Sequence, residues 1–180
     1  MGPAGLAHGV AGRMNGREHT GADAGLIDSR SGFHAALRAA LRSAAEQGCR
    51  EIWCVDRHFA DWPLGEREVV ELLSRWASGH RRLVLLAHHF DEFPRRHARW
   101  VQWRVQWAHV VTCRQVHEDD AADMPCLLLA SDLVSVRLHS TEHYRGRVDH
   151  DPAEWIRQRE LVSALDQRGS DAFPATVLGL

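Results

Sequence analysis

Five consecutive apolar residues, Leu83-Val84-Leu85-Leu86-Ala87, lie between Arg81-Arg82 and His88-His89. A short apolar run without alternation predicts a strand covered on both faces, as in a parallel sheet. Two similar runs flank it, Ile52 to Val55 before and Val110 to Cys113 after, and helical periodicity fills the gaps. The pattern predicts β-α-β-α-β with the Leu83 strand second of three.

Before this core, residues 1–28 hold half of the glycines and show no periodicity. Such a segment buries too little to offset the entropy of ordering it, so a disordered Gly/Ala-rich tail is expected there. A single α/β domain is expected over residues 29–180. Ser29 or Ser31 is a suitable N-cap; Phe33, Leu37, Leu41 and Ala44 recur at helical spacing, and Gly48 is a stop. Asp61-Trp62-Pro63-Leu64 predicts the opening of a second helix, with Val69, Leu72, Leu73 and Trp76 on its apolar face and Gly79 at its end. Phe93-Pro94 predicts a third, running to about Trp107.

His117 to Asp123 is acidic and reads as a solvated loop. Pro125 to Ala130 and Leu133 to Leu138, joined by Ser131-Asp132, predict an antiparallel hairpin that lacks the usual glycine. Asp151-Pro152-Ala153-Glu154 predicts a capped final helix to about Arg168. The segment from Phe173 to Leu180 is apolar enough to dock on the body.

Composition removes several chemistries. The 180 residues include 22 arginines and no lysine. That excludes a P-loop lysine and a Schiff-base lysine. A net charge of -2 argues against nucleic acid as a partner and against an anionic membrane surface. The four cysteines form no C-x-x-C pair, and three lie in strand-like runs, so they read as buried thiols of a reducing compartment, the cytoplasm by default. No apolar stretch reaches the roughly 18 residues of a membrane span.

The order β-α-β-α-β, two strands, helix resembles one half of a phospholipase D superfamily enzyme over roughly Glu51 to Arg168. In that family a His-x-Lys pair sits on the strand matching Pro125 to Ala130, an aspartate follows the lysine after four residues, and a Gly-Ser or similar pair comes soon after. On that pattern Asp132 falls on the aspartate and Ser140 on the serine, while Pro125 takes the histidine position and Leu127 the lysine position. The family's histidine attacks phosphorus and its lysine holds the phosphoryl oxygens. The resemblance therefore implies a degenerate copy with no catalytic residue at the matched positions. Active members pair two halves, so it also implies a homodimer.

The residues themselves offer other candidates. In open α/β sheets ligands bind beyond the carboxyl ends of the strands. Asp56, His58, His88, His89 and Arg114 stand at those ends and form the candidate ligand site. Trp100, Trp103 and Trp107 share a helix face with Arg99 and Arg104 close by. That stripe reads first as core packing, then as a protein interface, then as a stacking surface for nucleic acid. His139-Ser140-Thr141-Glu142-His143 matches a zinc peptidase pattern, but it follows a strand where that chemistry needs a helix, so no metal and no cofactor are expected.

The leading reading is a non-catalytic interaction or accessory module that binds a protein partner or itself. The main alternative is an enzyme acting on a phosphodiester or phosphorylated small molecule through the strand-end histidines. An enzyme requires His58, His88 and His89 in one pocket, whereas an interaction module requires an exposed apolar patch.

Overall fold

A computed structural model describes residues 25–175 of the chain. Residues 1–24, most of the expected tail, lie outside the described residues. Pairing starts earlier than Ser29, because Leu26–Ile27 form a short strand, β1, and Ile27 is buried.

Ser29 caps α1 (Arg30–Gln47) by accepting the Gly32 amide, and Gly48 closes it in the left-handed conformation at φ 77°. β2 (Glu51–Val55), α2 (Arg67–Trp76) and β3 (Arg82–Ala87) follow. Then come α3 (Phe93–Arg96), α4 (Ala98–Gln106), β4 (Val111–Gln115) and the single-turn α5 (Glu118–Ala121). β5 (Cys126–Ala130), β6 (Val134–Ser140) and β7 (Arg145–Asp149) form a meander, and α6 (Pro152–Arg168) and β8 (Ser170–Asp171) end the described chain. The eight strands make one sheet in the order β1-β7-β6-β5-β2-β3-β4-β8.

β2, β3 and β4 are parallel neighbours, whereas β5 runs antiparallel to β2. The unalternating runs are explained by helices on both faces. Ile52, Cys54, Leu83 and Leu85 face a large core built with α1, α2, α3 and α4. Trp53, Val55, Val84, Leu86, Leu127 and Leu129 face the other way and meet Val162 and Leu165 of α6.

Four local expectations change. α2 opens at Arg67, after Trp62, Pro63 and Leu64 have been buried in successive turns. Gly65 in that segment is needed for a close approach, because a Cβ there would meet the Arg96 carbonyl at 2.6 Å. The expected third helix is broken at His97, which leaves helical geometry at φ -123° and ψ 35°. The acidic loop carries α5, and its Asp120 accepts Arg168 at 2.8 Å. Asp132 supplies the left-handed residue of the β5–β6 turn at φ 61°, where glycine was missing.

The aspartate cap of α6 forms as expected, with Asp151 accepting the Ala153 amide at 3.0 Å. Glu154 does not reach back to complete a capping box; it binds Arg157 and Gln158 instead. Of the segment expected to dock, Phe173 stacks on Phe90 with centroids 5.4 Å apart, and residues 176–180 lie outside the described residues. Among the described residues no helix is long and apolar enough to cross a membrane.

Leu85 is fully buried at the centre of the sheet. Leu85→Ala is expected to lower unfolding stability by about 2–5 kcal/mol in urea titration; a loss below about 0.5 kcal/mol would be the behaviour of a surface site.

Candidate functional site

The antiparallel pairing of β5 with β2 brings the start of β5 beside the end of β2, where Asp56 leaves the sheet. Asp56 is 8% exposed, and its Oδ1 accepts the amides of His58 at 3.0 Å and Phe59 at 2.8 Å. Those two bonds fold the chain back and hold Phe59 at φ 56°, an uncommon conformation for a bulky residue. The Phe59 carbonyl lies 2.8 Å from His97 Nε2 at the α3–α4 break. Phe59 also packs edge-on to Phe93, which packs edge-on to Trp100.

Above this loop opens a cleft of about 540 Å³. Asp56, Arg57, His58, Asp61, Glu142 and Tyr144 line it, with Pro125 and Cys126 on the β5 side. Three carboxylates face one arginine and one histidine, which disfavours an anionic ligand. Arg30 stands 3.5 Å from Asp61 and pairs with it, so one of the three carboxylates is partly neutralised. Burial and the nearby Asp56 carboxylate push the Cys126 thiol well up.

The three strand-end histidines do not share one cleft, although the His88 and His89 rings lie together with centroids 3.9 Å apart. His58 lines the Asp56 cleft, whereas His89 lines a separate cleft of about 400 Å³ with Phe90, Gln115 and Phe173. His88 lines neither of these clefts. It is buried, with Nδ1 3.0 Å from the Val116 carbonyl and Nε2 2.7 Å from Glu118. Its amide and that of His89 both donate to the Arg57 carbonyl at 3.0 Å, which ties the two loops together. Arg114 turns away from the edge to clamp α6, reaching Asp166 at 3.0 Å, Asp171 at 2.7 Å and the carbonyls of Asp166 and Gly169.

The tryptophan stripe points inward. Trp100 and Trp103 are buried and Trp107 is half-buried against Trp103. Arg104 is also buried, donating to the Phe173 carbonyl, and Arg99 donates to the Gly65 carbonyl at 2.6 Å. Trp100, Trp103 and Arg104 are therefore internal braces, whereas Trp107 is half-buried and Arg99 exposed. His139 stands on β6 and His143 in the following turn, where it is bonded to Ser140, so the zinc-peptidase spacing falls on a hairpin. Among the described residues no three His, Cys, Asp or Glu side chains cluster closely enough to hold a metal ion.

Sequence does not single out Phe59 or Tyr144; it marks Asp61 only as a helix opener, Glu142 only as part of the zinc-peptidase spacing, and His97 only as a neighbour of the tryptophan stripe. His97 leaves one more signal: it falls four residues after Phe93 and three before Trp100, on one helical face.

Burial lowers the His97 pKa below its ordinary 6.5, so the folded state holds a neutral ring. The unfolded chain binds that proton more tightly. His97's contribution is thus complete above about pH 6.5 and is lost as pH falls through the lowered folded value. Urea midpoints taken at about pH 7.5 and about pH 5.5 should differ less for His97→Gln than for the parent. An unchanged difference would assign the acid sensitivity to other groups.

No protein-family model matches the chain, and no curated protein matches it. Solved structures do. The archaeal chromatin protein TrmBL2, whose structure shows a novel mode of DNA binding, aligns with a TM-score of 0.59 at 12% identity, over 82% of this chain and 53% of that one. This chain thus spans about half the length of TrmBL2. NucT from Helicobacter pylori aligns at 0.53 and 9% identity, over 82% and 97% of the two chains. Nuc from Salmonella typhimurium, a phospholipase D family member, aligns at 0.52 and 9%, over 75% and 90%. The chain has the mixed α/β fold of these structures, one of them a phospholipase D family member.

Proposed function

We propose that this chain is a non-catalytic module of phospholipase D-like fold that works by binding. One observation carries the reading: residues 125 and 127, where the resemblance places the family's histidine and lysine, are a proline at the cleft wall and a leucine sealed in the α6-side core. Leu127 is fully buried, so that position offers no path for a cation to reach a ligand.

The surroundings support the same reading. Three carboxylates in the Asp56 cleft would repel a phosphodiester. His88 is buried against the Val116 carbonyl and the Glu118 carboxylate and lines neither the Asp56 cleft nor the His89 cleft. Exposed large apolar side chains among the described residues are Leu26, Val105 and Ile156, on three different elements. They lie apart along the chain, so the exposed apolar patch expected of an interaction module is not found among the described residues, and the partner in this reading is engaged through polar and charged groups. The DNA binding of TrmBL2 favours a nucleic acid as a second reading of that partner.

Purified protein is expected to hydrolyse generic chromogenic phosphodiesters no faster than a buffer blank. Activity that copurifies with the chain and disappears in His88→Ala or His89→Ala would replace this reading with a rebuilt histidine enzyme.

A further inference from the structure

The edge of the sheet opposite the Asp56 cleft carries a larger concavity, of about 760 Å³. It lies where α1 turns into β2, where the chain enters β3, and where β5 turns into β6. Four arginines line it, Arg50, Arg81, Arg82 and Arg159, against two carboxylates, Glu51 and Asp132.

The charges are unevenly matched. Glu51 is shared by two partners, Arg82 at 2.9 Å and Arg159 at 3.2 Å. Arg81 spends its hydrogen bonds on backbone, donating to the carbonyls of Gly48 and Cys49, so no carboxylate meets its charge. This placement is built into the chain. Gly48 is left-handed, and a Cβ there would press on Arg81 Nη2 at 3.1 Å. Arg50 stands exposed at the rim. Ser131 also lines the cleft; it is 9% exposed, and its hydroxyl has no hydrogen-bond partner. It is one of twelve buried side-chain polar atoms without a partner among the described residues, so the arginines mark this cleft more strongly than the hydroxyl does.

A planar guanidinium presents paired donors that match phosphate oxygens, and a serine hydroxyl donates to the same group. We propose that this cleft binds a phosphate-bearing anion between Arg50, Arg81 and Ser131. Its volume lies in the range of about 300–1,000 Å³ typical of small-ligand sites. Phosphate could be presented by a free phosphorylated molecule or by a nucleic-acid backbone. The site is independent of the Asp56 cleft and of whether that cleft is catalytic.

The test is calorimetric titration of the full chain with inorganic pyrophosphate and, separately, with a short single-stranded oligonucleotide. Arg50→Ala and Ser131→Ala should each weaken binding roughly tenfold, the effect of one lost charge-assisted contact. Glu51→Gln should tighten it, because it removes a carboxylate from the cleft and releases Arg159, while Arg82 keeps Asp166 as a partner. Pyrophosphate binding alone would identify a small phosphorylated ligand. Tighter oligonucleotide binding that falls steeply with salt would identify a backbone. Failure of both probes to bind would overturn the site. So would binding that Arg50→Ala and Ser131→Ala leave unchanged, or binding that His58→Ala, in the other cleft, removes.

Discussion

β2 is hydrogen-bonded in parallel to β3 on one side and antiparallel to β5 on the other, and the rest of the molecule depends on that double pairing. Parallel pairing with β3 requires a crossover helix, which puts α2 on one face. Antiparallel pairing with β5 sends the following chain back across the sheet as the β5–β6–β7 meander. The reversal also decides what shares an edge. The end of β2 meets the start of β5, so the Asp56 loop faces Pro125 and Cys126. The start of β2 meets the β5–β6 turn, so Glu51 faces Ser131 and Asp132. Two clefts of different charge, one rich in carboxylates and one rich in arginines, are both products of one change of strand direction.

The loop after β2 keeps its shape because buried partners hold it at both ends. Asp56 accepts two amides from below and His97 reaches the Phe59 carbonyl from the side. Left-handed backbone at a phenylalanine is unfavourable in isolation. Here the aromatic contacts of Phe59 with Trp62 and Phe93 hold the ring while the hydrogen bonds hold the backbone. The break between α3 and α4 serves this loop, since it turns His97 inward. The tryptophans of α4 buttress the same region, with Trp100 packed on Phe93.

Much of this architecture is legible in the residues. Runs such as Ile52 to Val55 and Leu83 to Ala87 mark strands buried on both faces, and Gly48 and Asp151 mark helix ends through their backbone chemistry. Other features leave little trace. β7 reads Arg145-Gly146-Arg147-Val148-Asp149, and one valine on the inner face gives no usable alternation. β1 and β8 are two-residue edge pairings whose register comes from their neighbours. The face chosen by Trp100 and Trp103 could be narrowed but not decided, because a stripe at helical spacing fits a core or an interface equally well. The histidines at the strand ends could be placed at one edge, yet which cleft each one lines depends on the path of the loop behind it. Arg114 stood in the right place for a ligand and was claimed by the end of α6.

The two layers on the sheet are attached by different forces. On one side, four helices meet the strands through a broad apolar contact dominated by aromatic rings. On the other, α6 buries Val162 and Leu165 and is ringed by ion pairs, Arg159 with Glu51, Arg82 and Arg114 with Asp166, and Arg168 with Asp120. Dissolved ions weaken partly exposed pairs of this kind and leave oily contacts intact. Ionic strength is therefore a dial on one layer only: it tunes how often α6 lifts from the sheet while the aromatic side stays closed, and amide exchange along α6 would follow the salt concentration when that along β3 does not.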